Sequence, residues 1–592
     1  MPLPPPHPCS AEANLQAALA LLLELQRQGL RRLVLCPGSR SAPLALAAGL
    51  LAEQGLELFC GVDERSAAFL ALGLSRGDGR PAALVTTSGT AVANLLPAVV
   101  EADFGAIPLL VLSADRPARL KGCGANQTVN QESFLASSCR CFLQGDPRGL
   151  AAMERSDLRV FAQQAWAKAL LPPWGPVHCN LPFEEPLHAP AESISRLQSE
   201  LKAQPPEAAS AEDLIPTPAA GTGEGLPFDL DRPGVVIAGP WRGRAEDLPG
   251  FAAALQRWQG RTGWPVLADP LSGLRGWPGL SCVLSYDLFL ADGHQLPSAP
   301  QLLRLGPVPA SRRLQAWIQR NAGVQFLISE QDPRNLDAFG TATQHWPHGL
   351  EAWLAQHPAS RWEAPVAAGN QRWRDLWWAA EQQVQQRLDQ LLPAQGLSEP
   401  GLARSLSRAL PADWGLMLAS SSPVRDWESF SAPDAPCRSI DGFRGASGID
   451  GTLSLAAGLA ISRGPLVLLS GDLALLHDAN GWLWLQQLRE RGAQLTVVMV
   501  DNGGGGIFEQ LPIRPALDFE RLFAMPQAMD HLRWAEGYGI PAQRVESLEA
   551  LPQAMAWAHG QTLSLLVVQT DRQADAQLRQ SLRRTMVELA TR

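Results

Sequence analysis

Between Pro465 and Phe508 the chain twice runs an apolar stretch into a polar ending. Leu466-Val467-Leu468-Leu469-Ser470 leads to Gly471-Asp472, and Leu495 to Val500 leads to Asp501-Asn502-Gly503-Gly504-Gly505-Gly506. Asp472 and Asn502 stand 30 residues apart, about the length of one strand-helix-strand unit. This spacing predicts that they sit side by side at the carboxyl ends of neighbouring parallel strands, where open α/β sheets place ligands. A carboxylate, a side-chain amide and a glycine-loop carbonyl are hard oxygen ligands suited to Mg²⁺, and they leave coordination positions for phosphate oxygens. The glycines allow close backbone approach to an anion. Taken alone, Gly-Asp and Asn-Gly are also ordinary turns at strand ends.

Glu64 follows Leu58-Phe59-Cys60-Gly61-Val62-Asp63 and opens a helix expected over 66–76. An acid at that position is also what the helix macrodipole favours. Thr87-Ser88-Gly89-Thr90-Ala91 reads as a strand-to-helix turn, equally a capped helix start.

The elements that must position these residues follow from short apolar runs alternating with helical stretches. Strands are predicted at 33–36, 57–62, 82–86 and 108–113, with helices near 13–28, 42–53, 65–76 and 91–101. That alternation indicates a parallel sheet covered on both faces. Residues 196–232, rich in Pro, Ala, Ser, Glu and Gly, read as a linker. A second α/β unit starts at Val235-Val236-Ile237-Ala238-Gly239 without a dinucleotide glycine fingerprint, with strands at 265–269, 302–305 and 324–328. A helix over 371–392 aligns Trp373, Trp377, Val384, Leu388 and Leu391 on one face. A third α/β unit follows, with strands at 415–419, 465–470, 495–500 and 564–568 and a helical segment over 478–490. The fold expected is three α/β domains, each with a doubly wound parallel sheet, the outer two alike in architecture.

At 592 residues the chain is too long for one core. Its 49 basic and 58 acidic residues, net −9 and without long charge blocks, argue against nucleic-acid binding. Nine cysteines without CxxC pairs suggest reduced thiols in a cytoplasmic compartment and no zinc site. The uncharged run 82–100 carries Thr86, Thr87, Ser88, Asn94 and Pro97, so it reads as strand, turn and helix, and no membrane association is expected. No GxxxxGK[ST] sequence supports a P-loop hydrolase.

Gly-Asp, thirty residues, then Asn resembles the diphosphate and metal motif of thiamin-diphosphate enzymes. Longer blocks narrow the resemblance: Cys36-Pro37-Gly38-Ser39-Arg40-Ser41, Asp63-Glu64-Arg65, Ser113-Ala114-Asp115-Arg116-Pro117, Gly124-Ala125-Asn126-Gln127, Arg444 to Gly451, and Gly504-Gly505-Gly506-Ile507-Phe508. Together they closely resemble the 2-succinyl-5-enolpyruvyl-6-hydroxy-3-cyclohexene-1-carboxylate synthase family, across both outer domains; the central domain matches loosely.

The resemblance implies thiamin diphosphate and Mg²⁺ (or Mn²⁺) as cofactors. It also implies decarboxylation of 2-oxoglutarate, with addition of the succinyl carbanion equivalent to isochorismate, in menaquinone or phylloquinone biosynthesis. It divides the chain into a pyrimidine-binding domain 1–195, the linker 196–232, a central domain 233–362, a bridging helix 363–394 and a diphosphate- and metal-binding domain 395–592. Glu64 would hydrogen-bond the cofactor's pyrimidine. Ser88, Gly89, Ile449, Gly471, Asp472, Leu473, Asn502, Gly504 and Phe508 would also bind cofactor, with Asp472, Asn502 and Gly504 on the metal. Ser39, Arg40, Arg116 and Gln127 would face isochorismate or orient the intermediate. Ser421, Arg425 and Arg444 would contact the intermediate's carboxylates, and Arg312 stands where a central-domain lysine is expected. The arginines agree with this independently, because both substrates are dicarboxylates and guanidinium forks bind carboxylates bidentately. Phe443 and Gly503 stand where the family pattern has Asn. A homodimer or homotetramer with active sites between subunits is implied. An acetolactate-synthase-like 2-oxoacid decarboxylase or carboligase and a non-catalytic metabolite-binding relative remain the alternatives.

Overall fold

The computed structural model describes residues 10–203, 226–290, 296–514 and 518–590. Among them, eighteen strands form three six-stranded sheets whose pairings are all parallel.

The first sheet contains β1 (Arg32–Leu35), β2 (Glu57–Cys60), β3 (Ala82–Thr86), β4 (Leu109–Asp115), β5 (Cys141–Gln144) and β6 (Pro176–Pro182) in the order β2-β1-β3-β4-β6-β5. The second contains β7 (Val235–Ala238), β8 (Val266–Ala268), β9 (Cys282–Val283), β10 (Gln301–Leu305), β11 (Val324–Ile328) and β12 (Gln344–Trp346), ordered β12-β11-β10-β7-β8-β9. The third contains β13 (Gly415–Leu418), β14 (Ile440–Gly442), β15 (Leu466–Gly471), β16 (Leu495–Asp501), β17 (Ala542–Val545) and β18 (Leu563–Gln569), ordered β14-β13-β15-β16-β18-β17. Counted from its own first strand, the third sheet repeats the order of the first, so the expected likeness of the outer domains holds at the level of topology. The central sheet, read from its other edge, has the order of the dinucleotide-binding fold. The central strands of the outer sheets, such as β3 and β4, are buried at every residue because helices cover both faces.

The described residues cluster into two compact units. One takes the residues up to 203 with Arg444–Arg463 and Asp478–Arg491; the other takes those from 226 to Phe443 with Gly464–His477 and those from Gly492 onward. In the first unit the helix Glu64–Asp78 packs on the helix Thr452–Arg463. Gly73 and Gly458 make this approach possible: a Cβ on Gly73 would lie 2.3 Å from the Leu455 carbonyl oxygen, and one on Gly458 2.4 Å from that of Leu70.

Three expectations need correction. The stretch 196–203, read as linker, completes the helix Ala191–Ala203, because Leu197 and Leu201 recur at i,i+4 and are buried. At its other end Phe228 and Leu230 are buried in the central core with Trp258 and Trp264, while 204–225 lie outside the described residues. The helix expected over 91–101 is two, Thr90–Ala93 and Leu96–Gly105, with Pro97 in the first turn of the second. The segment 478–490 starts as 3-10 helix (Ala479–Trp484) before turning α-helical at Leu485–Glu490. The bridging helix runs Ala368–Leu391 and buries Trp377, Val384 and Leu388 on the expected face.

Candidate active site

The order β2-β1-β3-β4 lines up four strand ends whose following residues carry the chemistry expected of the first unit. Glu64 follows β2, Ser39 and Arg40 follow β1, Ser88 and Gly89 follow β3, and Arg116 follows β4. Glu64 is the first residue of its helix, but the cap is Asp63, whose carboxylate accepts the N–H groups of Arg65 (2.9 Å) and Ser66 (3.2 Å). Glu64 is therefore not consumed by capping, and its Oε2 accepts from Asn94 Nδ2 at 3.4 Å. Burial pushes the neighbouring Cys36 thiol up to about 12, with the charges of Glu64 and Asp63 adding to it.

Arg116 donates to Ser88 Oγ and to the Gln127 carbonyl (2.8 Å), while Gln127 Nε2 donates to the Ser88 carbonyl at 2.9 Å. Gly89 N–H donates to Gln131 Oε1 at 2.9 Å. Buried Arg40 donates to the Phe183 carbonyl (2.9 Å) and Glu185 (3.0 Å), and its Nε is buried without a partner. Burial, then the positive charge of Arg40, lowers the pKa of Arg116. Two guanidiniums held near each other, one with a buried donor left unpaired, have the charge and donors that suit a carboxylate. Gln127 takes φ 57°, a left-handed conformation uncommon for a residue with a side chain. Ser39 is exposed beside this cluster.

Arg444 and Ile449 belong to the same unit. The carboxylate of Glu101, on the helix Leu96–Gly105, accepts four consecutive backbone N–H groups: Arg444 (3.1 Å), Gly445 (2.8 Å), Ala446 (2.6 Å) and Ser447 (3.1 Å). This clamp fixes the loop from which Ile449 projects, 37 % exposed rather than lost in a core.

In the second unit β13, β15 and β16 are neighbours, so Ser421, Asp472 and Asn502 follow adjacent strand ends. The pairing of Gly471 with Val500 ends the two strands together, with Asn502 one residue beyond the position opposite Asp472, so the two residues follow adjacent strand ends. Asp472 accepts the N–H groups of Leu473 (2.8 Å) and Gly504; burial, then the charges of Asp501 and Glu399, raises it to about 6. Asn502 gives its Nδ2 to Glu399 Oε1 at 2.7 Å, and its Oδ1 is buried with no hydrogen-bond partner. Gly504 has φ 115°, and a Cβ there would lie 2.0 Å from the Ala524 carbonyl oxygen, so only glycine fits. Its own carbonyl accepts Gly506 N–H at 2.8 Å and keeps a second lone pair. Phe508 packs on Phe523 at 5.8 Å. Ser421 has φ 77° and its carbonyl accepts from Arg425 at 2.6 Å. Strain of this kind persists where surrounding structure enforces it, often at ligand sites.

An unpartnered amide oxygen, a carboxylate and a carbonyl with a free lone pair are a donor set that fits a hard divalent cation. Among the described residues no group of three or more His, Cys, Asp or Glu is arranged to hold a metal. Arg312 is exposed at the start of the helix Arg312–Arg320, next to Arg313, which pairs with buried Asp287 at 3.1 Å; it is not among the residues these hydrogen bonds gather. Glu101 and Glu399 are the residues that sequence reasoning missed. No local motif marks either.

Comparison with known proteins places these strand ends in a family. Residues 15–134 match the thiamine pyrophosphate enzyme N-terminal TPP binding domain, 226–418 the middle domain of thiamine pyrophosphate enzymes, and 432–568 the C-terminal TPP binding domain. The chain is 54 % identical over 97 % of both chains to 2-succinyl-5-enolpyruvyl-6-hydroxy-3-cyclohexene-1-carboxylate synthase of Synechococcus sp. (strain RCC307). It is 50 % identical to the protein of that name from Synechococcus sp. (strain CC9311), over 96 % of this chain and 99 % of the relative. To that from Prochlorococcus marinus (strain MIT 9313) it is 51 % identical, over 94 % and 97 %. The chain belongs to the 2-succinyl-5-enolpyruvyl-6-hydroxy-3-cyclohexene-1-carboxylate synthase family of thiamine pyrophosphate enzymes.

Proposed function

We propose that this chain is a thiamin-diphosphate-dependent carboligase that decarboxylates 2-oxoglutarate and adds the succinyl unit to isochorismate. The products are 2-succinyl-5-enolpyruvyl-6-hydroxy-3-cyclohexene-1-carboxylate and CO2, a step of menaquinone or phylloquinone biosynthesis. The observation that carries this reading is near-full-length identity to synthases of that name. Bound thiamin diphosphate supplies the thiazolium carbon and the electron sink that decarboxylation of a 2-oxo acid needs.

The roles of the chain's own residues are those that membership of the family implies. Asp472 and Asn502 side chains with the Gly504 carbonyl would hold Mg²⁺ or Mn²⁺, and Gly471, Leu473 and the glycine loop would bind the diphosphate. Glu64 would hydrogen-bond the pyrimidine ring, Ser88 and Gly89 would also bind the cofactor, Ile449 would serve as an apolar wedge, and Phe508 would pack near the cofactor. Ser39, Arg40, Arg116 and Gln127 bind isochorismate or orient the intermediate; Ser421, Arg425 and Arg444 contact the intermediate's carboxylates, and Arg312 stands where the family pattern has a lysine.

The functional division is a pyrimidine-binding domain 1–195, a central domain 233–362, a bridging segment 363–394 and a metal-binding domain 395–592. Among the described residues no helix is long and apolar enough to cross a membrane. A cytoplasmic homodimer or homotetramer, with active sites between subunits, fits the small-molecule chemistry.

Purified protein assayed with each component omitted in turn tests this reading. Turnover that needs thiamin diphosphate, Mg²⁺, 2-oxoglutarate and isochorismate together supports it. Equal turnover with pyruvate as donor points instead to an acetolactate-synthase-like carboligase, and cofactor binding with no turnover to a metabolite-binding relative.

A further inference from the structure

Among the buried groups outside the proposed site residues, Glu399 stands closest to the chemistry. It is the first residue of the helix Glu399–Ala409, 4 % exposed at its side chain, and both its oxygens are engaged. Oε1 accepts from Asn502 Nδ2 at 2.7 Å, and Oε2 accepts from Arg579 Nη2 at 2.6 Å. Arg579, 2 % exposed, is itself fixed by two bonds to Asp426, at 2.7 and 2.6 Å. The backbone N–H of Glu399 donates to Asp575 at 3.1 Å. The carboxylate therefore has no freedom to turn away from Asn502.

An asparagine amide can present either its oxygen or its NH2 group after a half-turn, and the two ends have nearly the same shape. Some neighbour must choose. Both oxygens of Glu399 act as acceptors, Oε1 toward Asn502 and Oε2 toward Arg579, so the end of the amide facing Glu399 is the NH2, and the end facing the cation position is then the oxygen. That oxygen, Asn502 Oδ1, is the buried acceptor without a partner. Reversing the amide would set two acceptors against each other at 2.7 Å and turn an NH2 group toward the cation.

We propose that Glu399, locked by Arg579 and Asp426, is a positioning residue that orients the Asn502 amide so that its oxygen meets the divalent cation. The proposal rests on the reading of Asn502 as a metal ligand. The helix that carries Arg579, Arg572–Ala590, holds the glycine loop at a second point, because Arg572 Nη1 donates to the Gly503 carbonyl at 2.9 Å. The cation position is thus braced from one helix on both sides of residue 502 and 503.

The test reads cation affinity rather than turnover, by Mn²⁺ titration in electron paramagnetic resonance with thiamin diphosphate present. Glu399→Gln leaves one acceptor for two donors. Arg579 takes it, the introduced amide NH2 faces Asn502, and Asn502 reverses; Mn²⁺ affinity is expected to fall about 10- to 100-fold. Asn502→Asp alone sets two carboxylates face to face and also weakens binding. The double variant restores a donor-acceptor pair and is expected to bind Mn²⁺ better than either single variant, which a purely structural role for Glu399 does not predict. Unchanged affinity in Glu399→Gln, or a double variant no better than the worse single, overturns the proposal. If Glu399→Gln does not fold, as judged by thermal unfolding without cofactor, Glu399→Asp, which keeps the charge but withdraws the acceptor from Asn502, takes its place, and undiminished affinity there overturns the proposal. Asp472→Asn separates the two readings: affinity unchanged there removes the metal assignment itself, whereas affinity lost there but kept in Glu399→Gln removes only the positioning role.

Discussion

Glu101 accepts the backbone N–H of Arg444 at 3.1 Å as the first of four successive amides that its carboxylate holds. Four successive N–H groups, two on each oxygen of one carboxylate, form the kind of concavity that binds an external anion elsewhere; in this chain a side chain from the helix Leu96–Gly105 fills it. Glu101 is 3 % exposed, so the contact is not shared with solvent. The consequence is that a loop bearing an arginine and an exposed isoleucine is held rigid by a residue 343 positions earlier.

Glu101→Gln keeps the shape but turns an NH2 group toward two of the amides. We expect a loss of about 2 to 4 kcal/mol in stability, from the weakened charge-assisted bonds and the unpaired donors. Urea unfolding of the two proteins measures it. A change below about 0.5 kcal/mol, the scale of ordinary surface substitutions, would show that the clamp carries no load.

Glu64→Gln removes the carboxyl while leaving the cap on Asp63 intact. Turnover should fall about 10²- to 10⁴-fold, the range of general acid-base contributions, with Mg²⁺-dependent binding of thiamin diphosphate largely kept. Parallel kcat and cofactor titrations distinguish this from a structural role, in which binding and folding would fall together.

Arg116→Lys keeps the charge and loses the guanidinium, whose Nη1 donates to both Ser88 Oγ and the Gln127 carbonyl, and with it the planar fork suited to a carboxylate. The expected result is a KM for isochorismate raised about tenfold or more, on the scale of one lost charge-assisted bond, with the KM for 2-oxoglutarate changed much less. Equal increases for both substrates would contradict the assignment of this arginine to isochorismate.

His178, on β6 in the core of the first sheet, shares a 2.7 Å hydrogen bond with Ser113 Oγ, and burial pushes it down to about 4 from the 6.5 of a free histidine. Between those values the unfolded chain binds a proton that the folded chain refuses, so stability falls as pH drops through this window and is unaffected by this group above it. The slope reaches about 1.4 kcal/mol per pH unit and the total about 3 kcal/mol. Unfolding free energies at pH 7 and pH 4.5 should differ by less in His178→Gln than in the parent chain; an identical difference would mean that His178 does not supply the slope.

The half of the site built on β15 and β16 was legible in the sequence because its residues lie within one strand-helix-strand unit, where periodicity and spacing are local quantities. Asp472 and Asn502 are neighbours for the same reason that any two strands of that unit are. Glu399 was not legible: its partner is 103 residues away, and Ser398-Glu399-Pro400 reads locally as a capped helix start, which it also is. Strands such as β14, three residues long, and β5, half exposed, lack the unbroken apolar run that marks a buried strand. The shared strand order of the outer sheets is likewise set by crossover connections and leaves no residue pattern to read. Phe228 and Leu230 show the opposite case, two core residues hidden at the end of a stretch whose composition suggested only linker.

The most direct measurement follows 2-oxoglutarate labelled with ¹³C, at C1 and separately at C2, in the presence of isochorismate, thiamin diphosphate and Mg²⁺. The account predicts that the C1 label leaves as CO2 in step with isochorismate loss. It also predicts that the C2 label appears in a product whose mass equals the two acids less CO2. Labelled CO2 released without consumption of isochorismate, or C2 label found only in a free four-carbon aldehyde, would contradict it.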